Sequence, residues 1–259
     1  VTGSNIELDL NPPVATLRLN RPDRANALNR RMVSDFVDCV TELARRDDLA
    51  VLLLRGAGSK FSAGGDLKEL AQHSHLSDTA FELALADACE RLAALPMIVV
   101  ALIERFALGG GFLISLYCDL RIATPDAMLG FTPVARNWVP PWGLSRLAAW
   151  LGPARAQQFL LVRGSVTAEE ALSLGLVDRV IVDHEMDDYI ARTTPDWLAV
   201  PRDVVREVKT FYAQWKGVPH ARWDRLSAAA FARTFGQPAA RCALAEFIQP
   251  DRPKDVTQP

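Results

Sequence analysis

Two glycine-centred turns carry the chemistry for which this sequence can be read. The first is Phe61-Ser62-Ala63-Gly64-Gly65-Asp66-Leu67-Lys68, and the second is Ala107-Leu108-Gly109-Gly110-Gly111-Phe112-Leu113. Each follows an apolar run that reads as a buried strand, Val51 to Leu54 and Ile98 to Ile103, and each leads into residues with helical spacing. A strand that turns through glycines into a helix leaves backbone N–H groups without intrahelical acceptors, at the end where the helix dipole is positive. One such turn is most often only a tight strand-helix connection. Two of them brought together can aim two N–H donors at one oxygen, which is an oxyanion hole.

Other chemistries lack their residues. A dinucleotide fingerprint needs G-x-G-x-x-G, and Gly56-Ala57-Gly58 lacks the third glycine. A serine hydrolase needs G-x-S-x-G, and no such run occurs. Cys39, Cys89, Cys118 and Cys242 are scattered without C-x-x-C spacing. They read as reduced core thiols of a cytoplasmic protein, with no metal signature. The chain has 259 residues, 49% of them hydrophobic, and a formal charge of −2. That is enough to bury a large core, and the near-neutral charge without a basic block argues against nucleic acid as a partner. No segment has the form of a signal peptide, and no apolar run approaches membrane length.

The elements that must position the two turns follow from periodicity. Ile6–Leu10 and Val14–Leu19 alternate around Asn11-Pro12-Pro13, which predicts a hairpin. Met32, Phe36, Val40 and Leu43 predict an amphipathic helix over 30–45, and a second helix is expected over 78–94, before Pro96. The strand Ile98–Ile103, a short helix to Tyr117 and a strand Leu120–Ala123 complete a β-turn-α pattern that favours a mostly parallel sheet. Beyond Pro153, six helices are expected: 154–161, 168–174, 185–191, 201–215, 221–235 and 239–247, with one strand at 177–182. The reading is an α/β core over residues 1–200 and a helical C-terminal part over 201–259.

The first turn resembles the F-[SC]-A-G-[AG]-D-[LI]-K stretch of the crotonase (enoyl-CoA hydratase/isomerase) superfamily. The second is similar to that family's A-x-G-G-G-x-E-L turn, followed by Cys118-Asp119. Asn20-Arg21-Pro22 with Asn26-Ala27-Leu28 resembles its N-R-P-x-x-x-N-A-L opening, and Leu172 to Asp178 its A-x-x-x-G-L-V-[DN] segment. The resemblance covers roughly Ile6 to Pro253. It implies a crotonase (ClpP-like) spiral of ββα units with C-terminal helices that mediate a homotrimer or a dimer of trimers. It implies an acyl-CoA thioester as substrate, with coenzyme A as part of that substrate and no separate cofactor. Residue by residue, it places the oxyanion donors at the N–H groups of Gly65 and Gly110. Coenzyme A would be met by Arg24, Ala25, Ala63, Gly64, Asp66, Leu67 near the adenine, and Lys68 near a phosphate. For Lys68 a solvated helix start is the commoner role, and for Asp66 a helix cap.

The departures from the family pattern bear most on the reaction. A hydratase of this family uses two glutamates to hold and activate water. Here the first position is Leu113 and the second is Pro133, and neither side chain can move a proton. The family's double-bond isomerases use the second position alone, so that mechanism is also without its carboxylate. The position of a third carboxylate, found in dienoyl isomerases, falls near Pro141. Arg105 replaces a usual Gly, and Pro140-Pro141-Trp142-Gly143 replaces a more glycine-rich turn. Thr132-Pro133-Val134 resembles the matching piece of methylmalonyl-CoA decarboxylase, whose reaction generates its own enolate. Arg136, Asn137 and Tyr117 are the remaining polar candidates for the acyl pocket, with His73 and His75 better read as surface loop. Trp138 and Trp142 read as pocket wall. The expectation is a family enzyme that works through the oxyanion hole without being a water-adding hydratase, with decarboxylation, hydrolysis or another oxyanion-hole-only step as its reaction. A coenzyme A-binding protein without catalysis is the alternative. The C-terminal aromatic and aliphatic residues Phe211, Trp215, Trp223, Leu226, Phe231, Phe235, Leu244 and Phe247 read as apolar surface for assembly.

Overall fold

The computed structural model describes residues 5–72, 75–132, 138–215 and 220–248. Strands β1 (Ile6–Asn11) and β2 (Val14–Leu19) form the expected hairpin, antiparallel, with Ile6 opposite Leu19 and Asn11 opposite Val14. β2 then pairs in parallel with β3 (Val51–Gly56), which pairs with β4 (Ile98–Ile103). β6 (Leu120–Ala123) and a two-residue strand β9 (Arg179–Val180) extend the sheet on the far side, in the order β1-β2-β3-β4-β6-β9. Ala15, Leu17 and Leu19 alternate with less buried residues on β2, whereas β4 is buried almost continuously, as a parallel strand covered on both faces must be.

The helices follow from caps and stripes. In α1 (Arg30–Leu43), the Asn29 carbonyl oxygen Oδ1 accepts from the Met32 N–H at 2.8 Å, and Met32, Val33, Phe36, Val40 and Leu43 face the core. Helix α2 is the single turn Leu67–Leu70, and α3 spans His75–Ala94, starting a little before the expected residue 78. α4 is Gly110–Ser115. Helix α8 (Met186–Leu198) runs seven residues past the predicted end and covers the opposite face of the main sheet, where Met186 and Ile190 pack on Val100, Leu102 and Ile122.

Two features escape the periodic pattern. A second, three-stranded sheet joins β5 (Phe106–Leu108), β7 (Met128–Gly130) and β8 (Ser165–Thr167), each too short for alternation to register. Helix α5 (Leu144–Leu151) follows Gly143, and α6 (Pro153–Gln158) continues into a π-helical turn over Phe159–Arg163. The strand expected over 177–182 shrinks to β9, whose pairing with β6 is bounded by the Asp178 N–H on the Arg121 carbonyl and the Ile181 N–H on the Ala123 carbonyl.

After α7 (Ala168–Ser173), the chain closes with α9 (Arg202–Trp215), α10 (His220–Phe235) and α11 (Pro238–Ile248). The reading of their apolar residues as one exposed surface is corrected in part. Phe231, Phe235 and Leu244 are buried in this chain's own core, with the Phe231 and Phe235 rings stacked at 5.0 Å and Trp138 edge-on to Phe235 at 5.2 Å. Phe211 and Leu226 do stay exposed, while the side chains of Trp215, Trp223 and Phe247 lie outside the described residues. Among the described residues, no helix is long and apolar enough to cross a membrane.

Candidate active site

The two glycine turns are joined by backbone pairing. The Ser62 N–H donates to the Phe106 carbonyl at 3.1 Å and the Leu108 N–H donates to the Ser62 carbonyl at 2.9 Å, a parallel bridge between the strand-like starts of both turns. The opening motif supplies the third side. The Leu28 N–H donates to Gly64 O at 2.8 Å, the Asp66 N–H to Leu28 O at 2.9 Å, and the Ala63 N–H to Ala25 O at 3.0 Å. Close packing of this kind leaves no room for side chains. A Cβ on Gly64, whose φ is +91°, would stand 2.7 Å from the Leu108 carbonyl oxygen, and one on Gly111 would stand 2.6 Å from the Ser62 Cβ.

Buried polar side chains lock the arrangement, and their roles are legible only in space. Asn26 is fully buried with φ +52°, its amide donates to the Ala57 and Lys60 carbonyls, and its Oδ1 accepts from the Arg21 N–H. Arg21 donates to the Ala27 carbonyl at 2.6 Å and to Asp66 Oδ2 at 3.0 Å. The Ser62 hydroxyl donates to Asn26 O at 2.8 Å and accepts from the Gly64 N–H. Asp66 also caps α2, accepting from the Glu69 N–H at 3.3 Å, which is the capping role expected of it. Arg24, Ala63 and Lys68 are exposed, while Ala25 and Leu67 are half-buried.

Gly65 and Gly110 meet at a small cavity of about 50 Å³. Among the described residues, neither N–H donates to an acceptor within the chain, and Gly110 opens α4, where such donors are left over. The side chains around the cavity are almost all apolar: Leu28, Leu67, Leu70, Phe81, Leu85, Phe131 and Phe231. Leu113 lies one turn along α4 from Gly110 on the same cavity and is buried against Gly143. Pro133, Arg136, Asn137 and His73 lie outside the described residues, as does the side chain of His75. Trp138, Pro141 and Trp142 form wall, as expected of the tryptophans.

Tyr117 is a correction. It does not line the cavity but lies behind Trp142, ring centroids 6.0 Å apart, with the Arg146 guanidinium carbon 4.7 Å from its ring centre. Among the described residues its buried hydroxyl has no hydrogen-bond partner, and burial pushes its pKa well above that of an ordinary phenol. The thiols are equally inert: burial raises Cys118 to about 12 and Cys39 to about 11, and Cys89 goes up as well. Cys242 departs from the core reading and is exposed. Arg105, where the family has Gly, sits at φ +59°, the left-handed region that glycine tolerates best.

One side chain on the cavity was missed from sequence. Glu82 of α3 lines it, and its Oε2 accepts from the Trp142 indole N–H at 2.7 Å. The signal was there in principle, since Glu82 falls at the i, i+3, i+4, i+7 spacing of Leu85, Ala86 and Cys89, the buried stripe of α3.

The chain is similar to known proteins over most of its length. The family model of enoyl-CoA hydratase/isomerase matches residues 9–251. The chain is 34% identical over 198 residues to "Probable enoyl-CoA hydratase EchA17" of Mycobacterium tuberculosis, covering 76% of this chain and 75% of that one. It is 32% identical over 185 residues to the short-chain-enoyl-CoA hydratase of Clostridium acetobutylicum, with 71% of each covered. Among solved structures, an enoyl-CoA hydratase from Bacillus anthracis superposes with a TM-score of 0.78 at 28% identity, covering 95% of this chain and 97% of that one. One from Mycobacterium avium subsp. paratuberculosis K-10 gives 0.83 at 24% identity, with 98% and 99% covered, and so shares the fold. A match over nearly the whole chain, with both turns and the opening motif converging on one cavity, means that the chain belongs to the enoyl-CoA hydratase/isomerase family and has the crotonase fold.

Proposed function

We propose that the cavity binds the acyl end of a coenzyme A thioester and that the N–H groups of Gly65 and Gly110 hold its carbonyl oxygen as negative charge develops there. The carrying observation is that these two donors, from turns far apart in sequence, border one apolar cavity while neither has an acceptor among the described residues. Donors fixed in a dry site stabilise an enolate oxygen without reorganising, usually the largest single contribution to such catalysis. The first turn and the opening motif, with Arg24, Ala63 and Lys68 exposed beside Ala25, Gly64, Asp66 and Leu67, are the segments to which the family resemblance assigns coenzyme A. No cofactor beyond that substrate is called for by the reading.

Water addition by two glutamates is not the reaction we infer. Leu113 occupies the cavity wall where the first glutamate would project, and Pro133 stands at the second position in the sequence. A step that relies on the oxyanion hole, such as decarboxylation, thioester hydrolysis or enolisation, fits better than hydration. Trimeric assembly belongs to the same reading, supported by an exposed apolar face on α9. Incubating the protein with a panel of acyl-CoA thioesters and following the products by mass spectrometry tests the reading. Failure of any thioester to bind in calorimetry would remove both the enzyme and the binder interpretations.

A further inference from the structure

We propose that Glu82, delivered by α3 rather than by the family's glutamate positions, is the acid–base residue of this site. The inference rests on the thioester reading above. Among the described residues that border the cavity, Glu82 is the single ionisable side chain. It shares that cavity with Gly65, Gly110 and Leu113, so its side chain borders the space an acyl group would fill. Its position is fixed from behind: the Trp142 side chain is fully buried, and its indole N–H holds Oε2 at 2.7 Å. A carboxylate held by a rigid donor keeps one orientation toward the cavity, which is what proton transfer at carbon requires.

The step needs no co-reactant. With the thioester oxygen on the Gly65 and Gly110 N–H groups, Glu82 takes a proton from the α-carbon. The C–H bond breaks, an O–H bond forms on the carboxyl, and the electron pair moves to the carbonyl oxygen as an enolate. Returning the proton to the same carbon regenerates the starting thioester. For a β,γ-unsaturated thioester, returning it to the γ-carbon shifts the double bond into conjugation. Either way the carboxylate is restored and nothing is oxidised or reduced.

The test is deuterium uptake by 3-butenoyl-CoA in D2O, read by mass spectrometry, beside calorimetric binding of the same thioester. The wild-type protein should bind and exchange. Glu82→Gln should bind equally well and exchange at least 100-fold more slowly, while Glu82→Asp, a carboxylate set back by one methylene, should retain part of the rate. Glutamine still offers an oxygen to the Trp142 N–H, so a purely structural Glu82 predicts wild-type exchange in Glu82→Gln. That result would overturn the assignment, as would a wild-type protein that binds the thioester without exchanging it. If the wild-type protein does not bind at all, the thioester reading falls, and Glu82 falls with it. If Glu82→Gln loses its helical circular dichroism, the Glu82→Asp rate decides: exchange equal to wild type rejects the proposal, and reduced exchange with intact binding supports it.

Discussion

Gly64 lies against Gly110: a Cβ on Gly64 would stand 3.2 Å from the Gly110 nitrogen, and 2.7 Å from the carbonyl of Leu108. The two turns therefore touch through bare backbone, and the distance between the two proposed donors is set by the absence of side chains. Gly65, one residue along, has nothing within 4 Å of its Cβ position. Gly64→Ala should cost about 2–4 kcal/mol, combining a left-handed backbone with overpacking. Gly65→Ala should stay within about 0.5 kcal/mol. Chemical denaturation of the pair checks this, and equal losses would contradict the packing argument.

Gly110→Pro removes one donor N–H at the first position of α4, where proline is tolerated by a helix. The nearest obstacle is the tip of the Leu28 side chain, 2.8 Å from a Cβ there, which can rotate away. Turnover of whichever thioester proves to be substrate should fall about 10²–10³-fold. A folded variant with unchanged kcat would show that Gly110 is not a donor to the reacting oxygen.

Crotonyl-CoA hydration by the unmodified protein should run far below that of a two-glutamate hydratase assayed alongside. Each missing acid–base group is worth about 10²–10⁴-fold, and the wall at Leu113 is hydrocarbon. Comparable rates would mean that another group activates the water.

Asp224 of α10 is buried, and burial raises its pKa above the ordinary carboxyl value even though its Oδ1 accepts the Gly143 N–H at 3.0 Å. A raised folded-state pKa means that the folded chain holds the proton longer than the unfolded one. Stability contributed by this group is thus present at low pH and is lost as pH rises through the carboxyl range. Asp224→Asn keeps an oxygen for the Gly143 N–H and removes the buried charge. Its Tm should equal or exceed that of wild type at pH 7 and fall less steeply between acid and neutral pH. A lower Tm at pH 7 would argue that the ionised carboxylate has a stabilising partner.

Val204, Val208, Phe211 and Tyr212 are exposed at the i, i+4, i+7, i+8 spacing of one face of α9. Light scattering at micromolar concentration should give a multiple of three chain masses, and Phe211→Asp should lower the mass. A monomer in the unmodified protein would reject the assembly.

The long elements were legible in the sequence because their causes are local. Alternation marked the β1–β2 hairpin, a 3.6-residue stripe marked α1, and the glycine runs marked both turns with their helices. The capping role of Asp66 also followed from its place before α2. What only the tertiary structure decided depends on pairing between distant segments. The Ser62–Ala107 bridge, which makes two separate turns into one cavity, leaves no periodic trace in either segment. Nor do the three-residue strands of the second sheet. Tyr117, expected near the acyl pocket, packs its ring against Trp142 away from the cavity, whereas Glu82, to which the sequence alone assigns no role, lines it. Spacing along a helix says that a residue faces inward; the neighbours it meets there are chosen by α10 packing on α3 and α5, a long-range property that no local window contains.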